Sequence, residues 1–278
     1  MISLNTKPRD DGFRMPGEFE PHKGTYILWP ERTDNWRLGA KPAQHVFAEV
    51  AKVISKYENV TVGVSKEQYD NARNMLPEEV RVLEISNNDS WIRDSGPTCV
   101  INKDGVVRAI DWKFNAYGGL KEGLYFPWDQ DDKIARKVAE IENIDFYRVG
   151  DFVMEGGSFH TDGEGTIITT EECLLNVDRN PSMTKEQIEN KLLDYLNGEK
   201  LIWLKKGIYL DETNGHVDNI CCFVRPGVVA LAWSDDENDP QYSISKENYE
   251  ILSNTTDALG RKLEIHKISV PLHPVTIK

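Results

Sequence analysis

The chain has 278 residues, of which 39% are hydrophobic and 28% charged, a composition that is typical of a globular protein and excludes the disordered and fibrous classes. Its formal net charge is −13 and its lysines and arginines are scattered, which excludes the basic surface that nucleic-acid binding needs. The same acidity favours a small cationic ligand, although solubility alone is also a sufficient reason for it.

Strand-like runs rich in β-branched and aromatic residues alternate with helical patterns. In chain order we predict a strand at 24–29, a helix at 42–57, a strand at 59–64, a helix at 66–76, strands at 80–85 and 106–114, a helix at 130–141, strands at 146–149 and 165–170, a helix at 185–195, and strands at 200–204, 217–224, 228–233, 262–268 and 275–278. In the first helix, one face carries Val46, Phe47, Val50, Val53 and Ile54. The alternation predicts an α/β architecture.

The four cysteines have neither the spacing of a zinc site nor that of a disulfide framework; they are Cys99, Cys173, Cys221 and Cys222. Residues 1–13 lack the apolar core of a signal peptide, and no run of 18 apolar residues occurs. We therefore expect a cytoplasmic protein that does not bind a membrane or nucleic acid. A homo-oligomer is the default expectation for its assembly.

Acidic residues close to glycines recur about every 60 residues, at Asp94, Glu155 and Asp218. This period predicts structural modules that each deliver one carboxylate to a shared centre. The alternative is that acids beside glycines only mark turns. The next corresponding position falls at about residue 280, just past the end of the sequence, so a ring of such modules is expected to be open.

Together with His216, these carboxylates suit two kinds of chemistry. A guanidinium is planar and permanently cationic, so carboxylates on opposite edges, such as Asp94 and Asp218, each accept paired N–H bonds, while His216 transfers protons. Alternatively, Asp, Glu and His side chains hold a divalent metal ion that activates water. Both schemes require His216 and Asp218 to point to the same side of a strand. Trp91 is either a core residue or the apolar wall of a pocket.

Several motifs, in the same order, resemble the agmatine deiminases of the guanidine-modifying superfamily. They lie at residues 89–97, 115–120, 123–129, 154–157, 211–219 and 235–242. The resemblance runs over essentially the whole chain. It implies a single α/β domain over residues 1–278, a pentein-type α/β propeller built from five ββαβ modules around a central site, and here an incomplete ring.

The resemblance implies that agmatine is hydrolysed to N-carbamoylputrescine and ammonia, a step in polyamine biosynthesis towards putrescine, with no cofactor and no metal. In that reaction a cysteine thiolate attacks the guanidinium carbon, ammonia leaves, and water hydrolyses the thiouronium intermediate. By motif, Asp94 and Asp218 are implied to clamp the guanidinium, His216 to act as general acid and base, and Glu155 to hold its imidazole.

Two further residues are implied to contact the rest of the substrate. Glu212 is the implied partner of the distal ammonium of agmatine, and Trp91 is implied to lie along the methylene chain. A dicationic substrate also suits the net charge of −13. Arginine or peptidyl-arginine as substrate would instead require an arginine or lysine that meets the α-carboxylate, and the sequence alone does not place one.

The chain departs from the family at the nucleophile. The family's cysteine lies in a Gly-Gly-Gly-Asn-Ile-His-Cys motif near the C-terminus, and this motif does not occur here. None of the four cysteines is a convincing substitute. Cys173 matches a non-catalytic stretch of the family, and Cys99 and Cys221 lie among apolar residues, as inert thiols do. Cys222 lies four residues beyond Asp218, roughly 13 Å along a strand. We therefore expect a deiminase that lacks its last modules and is inactive alone. The alternatives are a non-catalytic guanidinium- or polyamine-binding protein and a metal-dependent hydrolase.

Overall fold

The computed structural model describes residues 1–271, and strands and helices alternate along them, which confirms the α/β class. The strands are β1 (Ser3–Leu4), β2 (Phe13–Arg14), β3 (Gly24–Leu28), β4 (Asn59–Val64), β5 (Arg81–Glu84), β6 (Thr98–Asn102), β7 (Val107–Lys113), β8 (Phe146–Val153), β9 (Phe159–Thr161), β10 (Thr166–Thr170), β11 (Lys200–Leu204), β12 (Cys221–Arg225), β13 (Val228–Trp233) and β14 (Glu264–Ser269). The helices are α1 (Lys41–Ile54), α2 (Tyr69–Met75), α3 (Ile92–Ser95), α4 (Gly119–Glu122), α5 (Ile134–Ile141), α6 (Glu171–Leu174), α7 (Lys185–Leu196) and α8 (Pro240–Ser253).

Three of the four sheets repeat one ββαβ unit. In each unit the first strand is antiparallel to the second, and the second is parallel to the third; the units are β6-β7-β8, β9-β10-β11 and β12-β13-β14. Parallel neighbours need a crossover connection, and α5, α7 and α8 provide it. The fourth sheet, β3-β4-β5, is wholly parallel, with α1 and α2 as its crossovers. Closure of these units into a propeller stays a prediction.

The sequence period of about 60 residues corresponds to this unit. Asp94 lies in α3, just ahead of β6; Glu155 lies between β8 and β9; and Asp218 lies just ahead of β12. Each carboxylate therefore occupies the same place in its own unit, immediately before the first strand. The interpretation of these acids as simple turn markers does not account for this equivalence.

The largest buried cluster lies between the β6-β7-β8 sheet and α7. It contains Trp112 and Phe152 from the sheet side and Leu192 from the helix, all less than 5% exposed. The helix begins with a capping box in which Thr184 and Gln187 bond each other's backbone N–H groups. Burying a side chain such as Leu192 contributes roughly 1.5–3 kcal/mol, so this core fixes neighbouring units against each other.

The apolar face predicted for the first helix is turned mostly to the surface. Val46, Val50 and Val53 are 60%, 45% and 52% exposed, while the buried residues of α1 are Gln44, Ala48 and Ala51. Periodicity identifies a face of a helix but not its neighbour. Here small side chains allow the helix to lie close to its sheet.

Two predictions differ from the structure in the last unit. The predicted strand 217–224 is wrong in its first part, because residues 217–219 form a 3₁₀ turn and β12 begins at Cys221. His216 and Asp218 therefore do not share a strand face. The turn follows Asn214 and Gly215, whose φ angles are 64° and 81°, a region that ends an extended chain.

Helix α8 was not predicted, and the predicted strand at 275–278 lies outside the described residues. Within residues 1–271, no helix is both long and apolar enough to cross a membrane.

Candidate active site

Three predicted site residues converge on Gly157. A Cβ atom at this position would lie 2.4 Å from Nδ1 of His216, 2.9 Å from Oδ2 of Asp218 and 3.0 Å from Oδ1 of Asp94. Such contacts are too short for any side chain, so only glycine allows the three groups to approach one point. The structure thus brings Asp94, His216 and Asp218 together at a place where the chain has no side chain of its own.

Asp94 is 8% exposed and held from both sides. Its Oδ1 accepts the backbone N–H of Gly157 at 2.9 Å, and its Oδ2 accepts the hydroxyl of Tyr117 at 2.8 Å. Burial, together with the charge of Asp94, raises the pKa of Tyr117, so this phenol stays a hydrogen-bond donor. The two bonds fix the orientation of the carboxylate. Sequence reasoning missed Tyr117 because it lies 23 residues further along the chain.

Asp218 is the more accessible carboxylate, with a quarter of its side chain exposed. Burial raises its pKa; the positive charges of Arg93 and His216 oppose the shift, and the nearby Asp94 adds to it. Nε of Arg93 lies 3.4 Å from Oδ2 of Asp218. Two carboxylates that converge in a partly buried site are destabilised as anions. A cation placed between them relieves this cost.

His216 is 3% exposed, and each of its ring nitrogens faces a carboxylate. Nδ1 lies 3.7 Å from Oδ1 of Asp94, and Nε2 lies 3.9 Å from Oε2 of Glu155. Both separations exceed a hydrogen bond, and such bonds in catalytic sites commonly tighten only when substrate binds. The backbone N–H of His216 donates to Oδ2 of Asp211 at 2.9 Å, which anchors the turn that carries the ring.

Glu155 is fully buried beside a buried arginine that the sequence did not reveal. Nε of Arg179 donates to Oε1 of Glu155 at 2.8 Å, and neither side chain is exposed. The other arms of Arg179 donate to Oδ1 of Asn214 at 2.7 Å and to the carbonyl of Thr213 at 2.9 Å. Arg179 thus ties Glu155 to the loop that carries His216. No local signal indicates this role, because the partners are 24 to 35 residues away.

Trp91 lies at the start of α3 and is 37% exposed, so the structure does not place it in the core. Its indole N–H donates to Oδ2 of Asp89 at 2.9 Å, and its ring stacks on Trp36 at a centroid distance of 5.2 Å. Trp36 donates to the other oxygen of Asp89 at 2.8 Å. Asp89 therefore holds two indoles as one partly exposed aromatic surface at the start of the helix that contains Asp94.

Glu212 is exposed on the loop that precedes His216. Among residues 1–271, the structure gives its side chain no hydrogen bond or ion pair to the other predicted site residues.

None of the four cysteines, all of which lie within the described residues, has the lowered pKa of an activated nucleophile. Burial raises the pKa of Cys173 and Cys221, which are fully buried. Burial also raises the pKa of Cys222, and the charge of Glu18 adds to the shift. The strand-based separation of Cys222 from Asp218 does not hold, because the chain turns at residues 217–219, but the raised pKa also argues against this thiol as a nucleophile.

The profile of the Porphyromonas-type peptidyl-arginine deiminase family matches residues 14–277. A protein of Listeria monocytogenes serotype 4b (strain F2365), named agmatine deiminase 1, is 66% identical over 271 residues, which are 98% of this chain and 74% of the relative. A solved structure of the agmatine deiminase of Enterococcus faecalis superposes with a TM-score of 0.98 at 54% identity, over 100% of this chain and 76% of that one. A substrate-bound agmatine deiminase of C. jejuni gives a TM-score of 0.84 at 26% identity, over 96% of this chain and 76% of that one.

Proposed function

The chain belongs to the agmatine deiminases of the Porphyromonas-type peptidyl-arginine deiminase family, and from this premise we propose that Asp94 and Asp218 bind the guanidinium of agmatine. The observation that carries the proposal is the convergence of both carboxylates and His216 on Gly157. A guanidinium presents paired N–H donors along its edges, and two carboxylates that face one point match that pattern. The family's reaction is hydrolysis of a guanidino carbon–nitrogen bond.

His216 is the proposed general acid and base. Its Nδ1 faces the carboxylate pair, while Glu155 lies on the Nε2 side, 3.9 Å away. A carboxylate behind an imidazole fixes its orientation and stabilises the imidazolium form. In the reaction a thiolate bonds to the guanidinium carbon, and the carbon–nitrogen bond breaks as His216 gives its proton to the departing ammonia. His216 then takes a proton from water, which attacks the thiouronium carbon and releases the thiolate.

We place the thiolate of this scheme outside the four cysteines, because the pKa of each of their thiols, that of Cys99 included, is raised. The chain spans about three-quarters of the length of the relatives it matches. We therefore assign guanidinium binding and proton transfer to these 278 residues and leave the nucleophile outside them. The raised pKa values of the thiols also favour a second candidate function for this chain alone, the non-catalytic binding of guanidinium or polyamine cations.

Trp91 and Glu212 are proposed to contact the rest of agmatine. The exposed edge of the Trp91–Trp36 pair offers an apolar surface to the methylene chain, and burying each methylene contributes about 0.8 kcal/mol. Glu212 is proposed as the partner of the distal ammonium because it is exposed on the loop before His216. A single domain, a cytoplasmic location and a homo-oligomer are further proposals.

Calorimetric titration with agmatine at low salt tests the binding half of the proposal. We expect the wild-type chain to bind agmatine, and Asp94→Asn and Asp218→Asn each to weaken binding by at least about tenfold, as expected for the loss of a charged hydrogen-bond partner. Asp104→Asn, on an exposed loop, is the matched control and leaves binding unchanged. Equal affinity in all four proteins rules out the clamp.

Ammonia release tests the catalytic half. The chain is assayed alone, and again after fusion to the part of the Listeria relative that this chain does not match. Activity only in the fusion, lost in His216→Ala, supports the assigned roles. Agmatine binding with no ammonia release in either form favours the binding protein. Release that depends on a divalent ion, and is abolished by a chelator, favours a metal-dependent hydrolase instead.

A further inference from the structure

A second ligand set combines His216 with Glu155 and Cys173, two residues that are not part of the proposed carboxylate clamp. Glu155, Cys173 and His216 each offer one ligand atom, and these atoms all lie within 4.8 Å of one another. All three residues are buried. We propose that this cluster is a binding site for one thiophilic divalent cation, such as Zn²⁺, and that the bound ion holds the imidazole by Nε2.

Two unpartnered atoms point to a ligand at this place. Oε2 of Glu155 and Nε2 of His216 are both buried, and neither has a hydrogen-bond partner within the described residues. They face each other at 3.9 Å, too far apart for a hydrogen bond. Buried polar atoms are almost always satisfied. A cation between the two atoms accepts a lone pair from each.

The donor set selects the class of ion. An imidazole nitrogen, a thiolate sulfur and a carboxylate oxygen are the three ligand types of zinc sites, with bonds of about 2.0–2.3 Å. Ligand atoms at the corners of such a tetrahedron lie about 3.3–3.8 Å apart. From separations of up to 4.8 Å, metal binding therefore requires the ligand atoms to approach one another by about 1 Å. Mg²⁺ and Ca²⁺ prefer oxygen ligands alone, so the thiol disfavours them.

Hydrogen bonds from neighbouring residues also orient the three ligands, as they generally do in metal sites. Arg179 donates to the other oxygen of Glu155. The hydroxyl of Thr170 accepts the backbone N–H of Cys173 at 3.2 Å and donates to the carbonyl of Gly215 at 2.6 Å. Thr170 thus links the turn of Cys173 to the residue before His216. These bonds keep the three donors aimed at one volume.

Binding changes the protonation of the thiol. Burial raises the pKa of Cys173, so the free side chain is a neutral thiol at pH 7. On binding, a Zn–S bond forms, the S–H bond breaks, and the proton passes to solvent. The thiolate then cancels one positive charge of the ion, and Glu155 binds the ion through Oε2 while it stays paired with Arg179 through Oε1.

Metal binding has a consequence for the clamp side of the same ring. A histidine whose Nε2 is bonded to an ion no longer gains a proton there, and Glu155 is no longer free to stabilise an imidazolium. The metal-bound form is therefore an inhibited form. This consequence rests on the proposed function of His216, whereas the binding itself does not.

Titration of the chelator-treated 278-residue chain with ZnCl₂, followed by calorimetry, tests the site. We expect one Zn²⁺ per chain, and a heat that varies with the ionisation enthalpy of the buffer because a proton is released. Cys173→Ala is expected to weaken binding by more than about 100-fold, since loss of even an outer-shell partner costs 10–100-fold. Cys221→Ala, which removes another fully buried thiol, is the matched control and leaves binding unchanged.

Cobalt(II) gives a second readout. A thiolate–Co²⁺ bond absorbs in the near ultraviolet by charge transfer, and this band is expected in the wild type and in Cys221→Ala but not in Cys173→Ala. If Cys173→Ala does not fold, as judged by circular dichroism, His216→Gln replaces it as the ligand deletion.

Failure of the wild type to bind Zn²⁺, or unchanged affinity in a folded ligand deletion, overturns the proposal. Asp94→Asn separates the two sites: it loses agmatine if the clamp is correct and keeps Zn²⁺ if the cluster is correct. Each proposal can therefore fail without the other.

Discussion

Arg179 offers the sharpest test of how the site is held together. Its guanidinium pairs with Glu155 at 2.8 Å, with both side chains fully buried, and two further bonds reach the loop before His216. In Arg179→Met the apolar stem is kept and the charge is lost. Glu155 is then a buried carboxylate without a cation.

Removing one partner of a buried ion pair costs about 3–5 kcal/mol, because the remaining charge is uncompensated. With a urea m-value of about 1–3 kcal/mol per molar, the midpoint of unfolding is expected to fall by at least about 1 M. The measurement is urea unfolding of both proteins, followed by circular dichroism. Arg225→Met, which removes an exposed arginine paired with Glu264 at 3.2 Å, serves as control and shifts the free energy of unfolding by less than about 1 kcal/mol.

The double variant Arg179→Met/Glu155→Gln distinguishes the causes of this loss. If the cost is the uncompensated charge, the neutral amide restores a large part of the stability. A single variant that unfolds at the wild-type midpoint refutes the reasoning. So does a double variant that is less stable than Arg179→Met.

Three other changes test the site more locally. Gly157→Ala places a methyl group 2.4 Å from Nδ1 of His216. We expect it to weaken agmatine binding by at least about tenfold in calorimetry, because the proposed clamp must open to admit the methyl group. Unchanged affinity would contradict the convergence of the three side chains on Gly157. Asp218→Asn is expected to raise the free energy of unfolding at pH 7, since burial raises the pKa of Asp218 and its ionisation opposes folding. This difference in the free energy of unfolding between variant and wild type disappears as pH falls below the unfolded-state pKa of about 3.9, because the native carboxyl is then already protonated. Urea unfolding at pH 7 and at pH 3.5 measures the difference. Asp89→Asn weakens the hydrogen bond that positions the indole of Trp91. We expect agmatine affinity to fall by about tenfold, which corresponds to roughly 1.4 kcal/mol for the loss of a bond to a charged group, and tryptophan fluorescence to shift to the red. Identical spectra and an identical affinity would count against a positioned indole.

Much of the fold was predictable because hydrophobic patterns are local. Strands such as Asn59–Val64 and Val228–Trp233 are rich in β-branched or other apolar residues, and the structure reproduces the predicted bounds residue for residue. Helix α8 was missed because it buries polar side chains, among them Asn248, whose amide bonds the backbone of Lys205 and Lys206. The start of α8 was nevertheless predictable from Asp239, which caps the helix, and from Pro240, which follows it at the first helical position.

Part of the candidate site was likewise predictable from the sequence, and part was not. Asp94, Glu155 and Asp218 are predicted as site residues because the repeat gives each of them an equivalent position, and the structure confirms that equivalence along the chain. The geometry of His216 and Asp218 was wrong because a two-residue spacing was interpreted as a strand, whereas the positive φ angles of the preceding residues impose a turn. Arg179 was not foreseeable, because its bonds join segments that only the tertiary fold brings together.

The repeat unit also links ligand binding to the folding of the whole chain. Asp94 and Asp218 precede the first strands of units that are not neighbours in sequence, so the proposed clamp forms only when the intervening β9-β10-β11 unit is folded. Long-range pairing of this kind is slow to form. Agmatine at 100 times its Kd would stabilise the native state by about 2.7 kcal/mol, and it would do so at the junction of the units. A ligand of only a few atoms is thus expected to make the unfolding of three modules a single cooperative event.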